Sequence, residues 1–211
     1  MAHKPDKTVA RQQRSEATRG RILDCIREIL IESGHHGMTM RTIADKCGIS
    51  VGNVTYHFPN KNVLIEEFFS HLLEGFEESL NQFVARALPS REAVVDFFIW
   101  RIREAASDGN KQLMRELWTM ASHYPKIADV MAKTMTAAID IIANMLATVY
   151  PHARRHELEK FVATVALFVE GSPMLFGVAS QQRVKMEEVL PTIERTIHYL
   201  LDDLQNHIRH R

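Results

Sequence analysis

Residues 39–61, TMRTIADKCGISVGNVTYHFPNK, read as two short helices joined by a tight turn, and the rest of the chain is best understood around them. Thr39 is a helix N-cap, whose hydroxyl can accept from the amides that the first turn leaves unpaired. Ile43, Ala44 and Cys47 follow at helical spacing and mark an inward face. Gly48 stands where a helix stop requires a positive φ. Ser50 caps a second helix of barely two turns, with Val54 and Phe58 inward at i and i+4. Pro59 ends it, because proline disfavours helical geometry in the residue before it. The outward positions hold Arg41, Thr42, Ser50, Val51, Gly52, Asn53, Thr55, Tyr56 and His57. A helix this short, small and polar on its open face, is the element that a helix-turn-helix inserts into a DNA major groove.

The pattern Gly37-x-Thr39-x(3)-Ile43-Ala44-x(3)-Gly48-Ile49-Ser50-x-Gly52-Asn53-x(2)-Tyr56-His57-Phe58-Pro59-x-Lys61 resembles the DNA-binding domain of TetR-type (TetR/AcrR-like) transcriptional regulators, over residues 14–71. Agreement of spacing and residue type at so many positions makes it specific. One departure is Thr55, where that family usually carries a longer tyrosine. The resemblance implies base-edge contacts from Arg41, Val51, Gly52 and Asn53. Arginine can bind guanine and asparagine adenine, and valine can touch a thymine methyl. It also implies phosphate contacts from Thr39, Ser50, Thr55, Tyr56, His57 and Lys61, which set register rather than sequence.

The 211 residues are 45% hydrophobic and 25% charged, a composition that argues against disorder and leaves ample chain for a core. Seven prolines and nine glycines between long periodic runs indicate an all-α protein. Net charge is zero, yet residues 1–62 carry ten Lys/Arg against six Asp/Glu and the remainder sixteen against twenty. The asymmetry suits a nucleic-acid-facing start, although chance produces asymmetries of this size. Cys25 and Cys47, both on inward helical faces, suit a reducing cytoplasm. No charged-then-apolar leader opens the sequence. The most membrane-like run, residues 161–179, is interrupted by Glu170, Ser172 and Pro173 and reads as a buried helix; no membrane partner is expected.

About nine helices are expected, in a three-helix helix-turn-helix domain over residues 1–60 and a ligand-binding and dimerisation bundle over 61–211. Residues 1–14 lack apolar periodicity and read as a disordered basic arm, with Lys4, Lys7, Arg11 or Arg14 available to phosphates. Ser15 or Thr18 then caps a helix that Gly34 closes. Lys61–Arg86 forms a fourth helix, shared by both domains as a lever. Later helices follow over about 91–107, 111–123, 125–149, 155–180 and 185–209.

In the second domain Phe97, Trp100, Met114, Trp118 and Met135 are dense in aromatic and adaptable side chains, which can be core or can line an effector site. His123 and Glu170 supply the few polar groups that such a site needs. Glu170, inside an apolar run, must meet an arginine such as Arg103 or Arg115, or a ligand's cation or hydroxyl. Pro173 removes a helix hydrogen bond nearby and should loosen the backbone. Stripes at Val162, Val165, Ala166, Val169 and at Ile193, Ile197, Leu200, Leu201, Leu204 suit a subunit interface. The resemblance likewise implies a dimer through the last two helices. His35–His36 and the i, i+4 pair His152/His156 lack further ligands and favour solvated turns over metal.

The expectation is a cytoplasmic, homodimeric regulator that requires no cofactor. It would be a repressor on palindromic operator DNA, released by a small hydrophobic effector. A constitutive DNA-binding dimer and a histidine-based metal-responsive regulator are the alternatives. No nucleophile–base set, paired carboxylates or phosphate loop supports an enzyme.

Overall fold

The computed structural model describes residues 7–86, 89–176 and 183–209. Nine helices run through the described residues: α1 (Lys7–Gly37), α2 (Met40–Cys47), α3 (Val51–His57), α4 (Lys61–Arg86), α5 (Arg91–Ala105), α6 (Asp108–Ala121), α7 (Pro125–Val149), α8 (Arg155–Phe176) and α9 (Met186–Arg209). They divide into two compact units, Met1–Ser70 and His71–Arg211. The division falls ten residues beyond the expected boundary at 60/61. The reason is that the first turns of α4 belong to the first unit: Leu64, Ile65, Phe68 and Phe69 are buried there, and Glu67 pairs with Arg19 of α1.

In the first unit the local grammar acts as expected. Thr39 is extended (φ −125°, ψ 159°) and its hydroxyl accepts from the Thr42 amide at 3.0 Å. The Thr42 hydroxyl in turn accepts from the Thr39 amide at 2.8 Å, so a threonine completes a capping box usually closed by Glu or Gln. Gly48 adopts φ 65°, ψ 35°, the left-handed stop that a Cβ would strain. Arg21 donates to the Cys47 carbonyl at 2.9 Å, satisfying an orphan acceptor at the α2 C-terminus. Lys46 reaches Glu28 and Glu32 on α1, at 3.1 and 2.9 Å. Gly37 has a packing reason as well, since a Cβ there would lie 2.5 Å from the Ser33 Cβ.

Three expectations are corrected here. α1 begins at Lys7, so Ser15 and Thr18 lie inside it and cap nothing; the Thr18 hydroxyl instead bonds back to the Arg14 carbonyl at 2.9 Å. Residues 7–14 have no apolar stripe, but Ala, Arg and Gln propagate a helix without one. Lys4 lies outside the described residues. The break at Gly34 is present (φ 64°, ψ −176°) although helical turns resume to Gly37. Cys25 and Cys47 are unbridged, but their thiols face each other, and burial, with the Cys25 thiol next, pushes Cys47 up to about 12. Such a thiol stays protonated at neutral pH and packs as an apolar group.

In the second unit α8 packs against α5, α6, α7 and α9. Its buried row, Leu158, Phe161, Val162, Val165 and Val169, meets Phe98 and Ile102 of α5, Ile142 and Leu146 of α7, and Ile197, Leu201 and Leu204 of α9 in one core. Arg91 fastens α5 to α9 by donating to the His198 carbonyl at 2.8 Å and to Asp202, whose carboxyl it holds below the usual range.

The expected dimer stripes are therefore corrected. Val162, Val165, Val169, Ile197, Leu201 and Leu204 are internal core, and the large apolar residues exposed on the described parts of α8 and α9 are Leu167 (72% exposed), Leu175 (63%), Met174 and Tyr199 (69%). Pro173 also acts differently from expectation. It cannot donate to the Val169 carbonyl, but the buried Ser172 hydroxyl lies 2.9 Å from that oxygen and 3.2 Å from the Ile102 carbonyl of α5. The lost bond is replaced and α8 continues to Phe176. The helix expected to 180 enters residues outside the described set. Among the described residues α7, not residues 161–179, is the one helix long and apolar enough to cross a membrane; Ile127, Met131, Ile142, Met145 and Leu146 on it are buried in the protein.

Candidate nucleic-acid interface

α3 has two opposite faces. Val54 and Phe58 are wholly buried, and the Arg19 guanidinium lies 4.7 Å above the Phe58 ring. On the other side Val51 (43% exposed), Gly52, Asn53, Thr55 and Tyr56 (72%) all face solvent. Val51 and Tyr56 are held outward on this two-turn helix and contribute nothing to the core.

Several of these hydroxyls are already engaged. Ser50 accepts from the Asn53 amide at 3.1 Å, fixing where α3 starts. Thr55 donates to the Val51 carbonyl at 2.9 Å, so the residue that departs from the family's usual tyrosine is turned back on its own helix. Tyr56 and His57 stand edge to face with ring centroids 5.1 Å apart. Lys61, in the first turn of α4, donates to the His35 carbonyl at 3.4 Å. Asn60 caps that helix by accepting from Val63 at 3.1 Å. Lys61 thus offers an ammonium beside unpaired helix amides, a favourable place for a phosphate.

The cations of this unit separate into two groups. Arg19, Arg21 and Lys46 are committed to Glu67, the Cys47 carbonyl, and the Glu28/Glu32 pair. Arg41 is exposed on α2, and no described residue holds it. Gly52 is informative in a different way. Its φ is ordinary, and a Cβ would meet nothing nearer than the Ser50 hydroxyl at 3.8 Å. The fold does not require glycine there, and in a helix it costs up to about 1 kcal/mol against alanine. A glycine here leaves the outer face of α3 without a side chain at this position.

In the second unit the expected effector residues are partly brought together. Phe97 is core, 4.7 Å from the Phe83 ring, and Trp100 lies parallel to Phe83 at 6.4 Å while 47% exposed. Met114 and Met135 are half-buried on α6 and α7, and His123 is exposed in the turn after α6. Glu170 meets neither expected arginine: Arg103 pairs with Glu187 at 3.4 Å and Arg115 bonds to Gln112. Its charged neighbour is Arg101, and the Trp118 indole also faces it. Sequence reading missed Arg101, although it stands four residues after the buried Phe97 and so on the flank of that face, whereas Arg103 is turned out.

Taken together, a three-helix unit that presents α3 outward, with α1 and α2 bracing it, defines a helix-turn-helix DNA-binding protein. Residues 22–68 match the family described as "Bacterial regulatory proteins, tetR family". The HTH-type transcriptional regulator UidR of Escherichia coli is 27% identical over 142 residues, covering 64% of this chain and 67% of that one. Among solved structures, a TetR transcription regulator from Haloarcula marismortui superimposes with TM-score 0.69 at 18% identity, over 90% of this chain and 98% of its own. A transcriptional regulator from Saccharomonospora viridis, in complex with choline, gives 0.72 at 16% identity, over 89% and 96%. This chain belongs to the TetR-type family of DNA-binding transcriptional regulators.

Proposed function

We propose that the chain is a cytoplasmic, homodimeric repressor that leaves a palindromic operator when a small, largely apolar molecule binds its second domain. The observation that carries the DNA half is the outward row of α3, a two-turn helix capped, stopped and braced so that its open face meets no other part of the first unit. In this reading Arg41, Val51, Gly52 and Asn53 meet base edges. Thr39, Ser50, Tyr56, His57 and Lys61 hold phosphates through backbone amides and whatever donor capacity their caps leave. Thr55 makes at most a minor contact, because its hydroxyl is spent within α3.

Selection of bound duplexes from a random pool tests this directly. A symmetric dimer should recover a palindrome whose half-sites lie about 34 Å apart or a multiple of one DNA turn. On the recovered duplex, Lys61→Ala should weaken binding to every sequence alike and lower the salt slope by about one. Arg41→Ala should relax preference at one base position, by about 1–3 kcal/mol. Both are read by anisotropy titration across a salt series. Parent-like binding by both variants would remove the assignment.

Dimerisation is assigned to α8 and α9, through Leu167, Met174, Leu175 and Tyr199. These large apolar side chains are exposed in the single chain, and a second copy would cover them. Leu167→Glu with Leu175→Glu should halve the mass in sedimentation and lower operator affinity at least about a hundredfold, because a monomer engages one half-site. A dimer that survives both changes would place the interface elsewhere.

Effector control is supported by the polar cluster at Glu170 and by the choline-bound neighbour of the same fold. Effector and DNA must then oppose each other by one coupling energy, about 1–3 kcal/mol in usual cases. Helix α4, continuous from Lys61 to Arg86, is the element we assign to carry that coupling.

A further inference from the structure

We infer that the second unit recognises the hydroxyl of an uncharged, otherwise apolar molecule, which sits between Glu170 and Arg101, accepting from the Arg101 guanidinium and donating to the Glu170 carboxylate. The inference rests on the effector-responsive reading above and names the chemistry of that effector.

Three observations on three helices carry it. The Oε2 atom of Glu170 on α8 is buried and has no hydrogen-bond partner among the described residues. Arg101 on α5 is largely removed from solvent, with its guanidinium 4.6 Å over the Phe76 ring and 5.6 Å from that of Trp100. It feels the Glu170 charge, yet the two do not form a contact ion pair, and no described residue accepts a hydrogen bond from it. Trp118 on α6 faces the same carboxyl and is itself 36% exposed.

A buried acceptor without a donor and a desolvated donor without an acceptor each cost stability. A chain optimised only for folding would bring them together or replace both with apolar residues. Held apart, they are complementary to one group that is donor and acceptor at once. A hydroxyl meets that requirement. The charge balance excludes ions as the preferred occupant. Glu170 and Arg101 already cancel, so an ammonium would be repelled by Arg101 and a carboxylate by Glu170, each adding an uncompensated charge to a half-dry site. This separates the chain from a receptor for a quaternary cation. Burial also pushes the Glu170 carboxyl up, with Arg101 and Trp118 opposing.

The chain's two tryptophans, Trp100 and Trp118, flank this cluster, so intrinsic fluorescence reports its occupation. The full-length dimer is titrated with cyclohexylmethanol, cyclohexylmethylamine, cyclohexanecarboxylate and methylcyclohexane, matched in size and non-fluorescent. The alcohol should give a saturable change at a concentration at least tenfold below either ion and about fivefold below the hydrocarbon. In Arg101→Met/Glu170→Met the alcohol should lose its advantage over the hydrocarbon, while Tm holds or rises; a purely structural pair would lower Tm and leave the ranking unchanged. Equal or tighter binding of an ion, no saturable response to the alcohol, or an alcohol preference that survives the double change would each overturn the inference.

A parallel titration on the selected duplex separates the two levels. Fluorescence saturation without DNA release supports the hydroxyl site and sinks effector control. Release that persists in the double variant keeps effector control and sinks this site.

Discussion

Phe58→Ala should cost about 3–5 kcal/mol, the usual range for deleting a fully buried phenyl ring. It should remove operator binding outright. Phe58 is 0% exposed, ends α3 by donating its backbone N–H to the Val54 carbonyl at 2.8 Å, and carries the Arg19 guanidinium on its ring. The cavity therefore opens directly beneath the reading helix, in a unit of about 70 residues whose whole stability is expected to be only several kcal/mol. Urea unfolding followed by far-UV circular dichroism should show an early transition that the parent lacks. Sedimentation should still report the parent's mass, because the residues proposed for the subunit interface, Leu167, Leu175 and Tyr199, lie in the other unit. A variant with parent-like DNA affinity would show that α3 is not held by this ring.

The second large effect has opposite signs in its two readouts. Gly52→Leu should stabilise the free protein by about 0.5–1 kcal/mol, since leucine is the better helix former and the site has room for a Cβ. The same side chain would stand between α3 and the duplex, displacing Val51 and Asn53 from base edges worth about 1–3 kcal/mol each. Affinity for the selected operator should fall at least about a hundredfold in the dimer, while weak salt-dependent binding to any duplex remains. Thermal unfolding and anisotropy on the same preparation check both signs. A leucine variant that binds as the parent does would mean that this face of α3 does not approach DNA closely, and the glycine would then have no explanation in the structure.

The first unit was legible because its decisive interactions are local. Caps, stops and the i, i+4 burial of Val54 and Phe58 involve residues within five positions of one another, and their geometry follows from side-chain type. The start of α1 was not legible, because a helix of Ala, Arg and Gln carries no apolar period. The Thr42 capping partner was likewise missed, since threonine at that position is an uncommon substitute for Glu or Gln. In the second unit the helices were legible and their facing was not. Helix α8 carries one apolar row through Phe161, Val165 and Val169 and another through Leu167, Met174 and Leu175. Periodicity finds both rows and cannot rank them.

The sequence by itself determined the helix-turn-helix, the residues that point outward from it, and the family to which the chain belongs. Only the tertiary structure decided which row of α8 is core and which is exposed, and that Glu170 faces Arg101 rather than Arg103 or Arg115. The physical reason is the reach of the interactions. Capping and turn chemistry close within a few residues, whereas the inside of a helix touched by four others is set by where those neighbours stand, and no spacing along one helix contains that information.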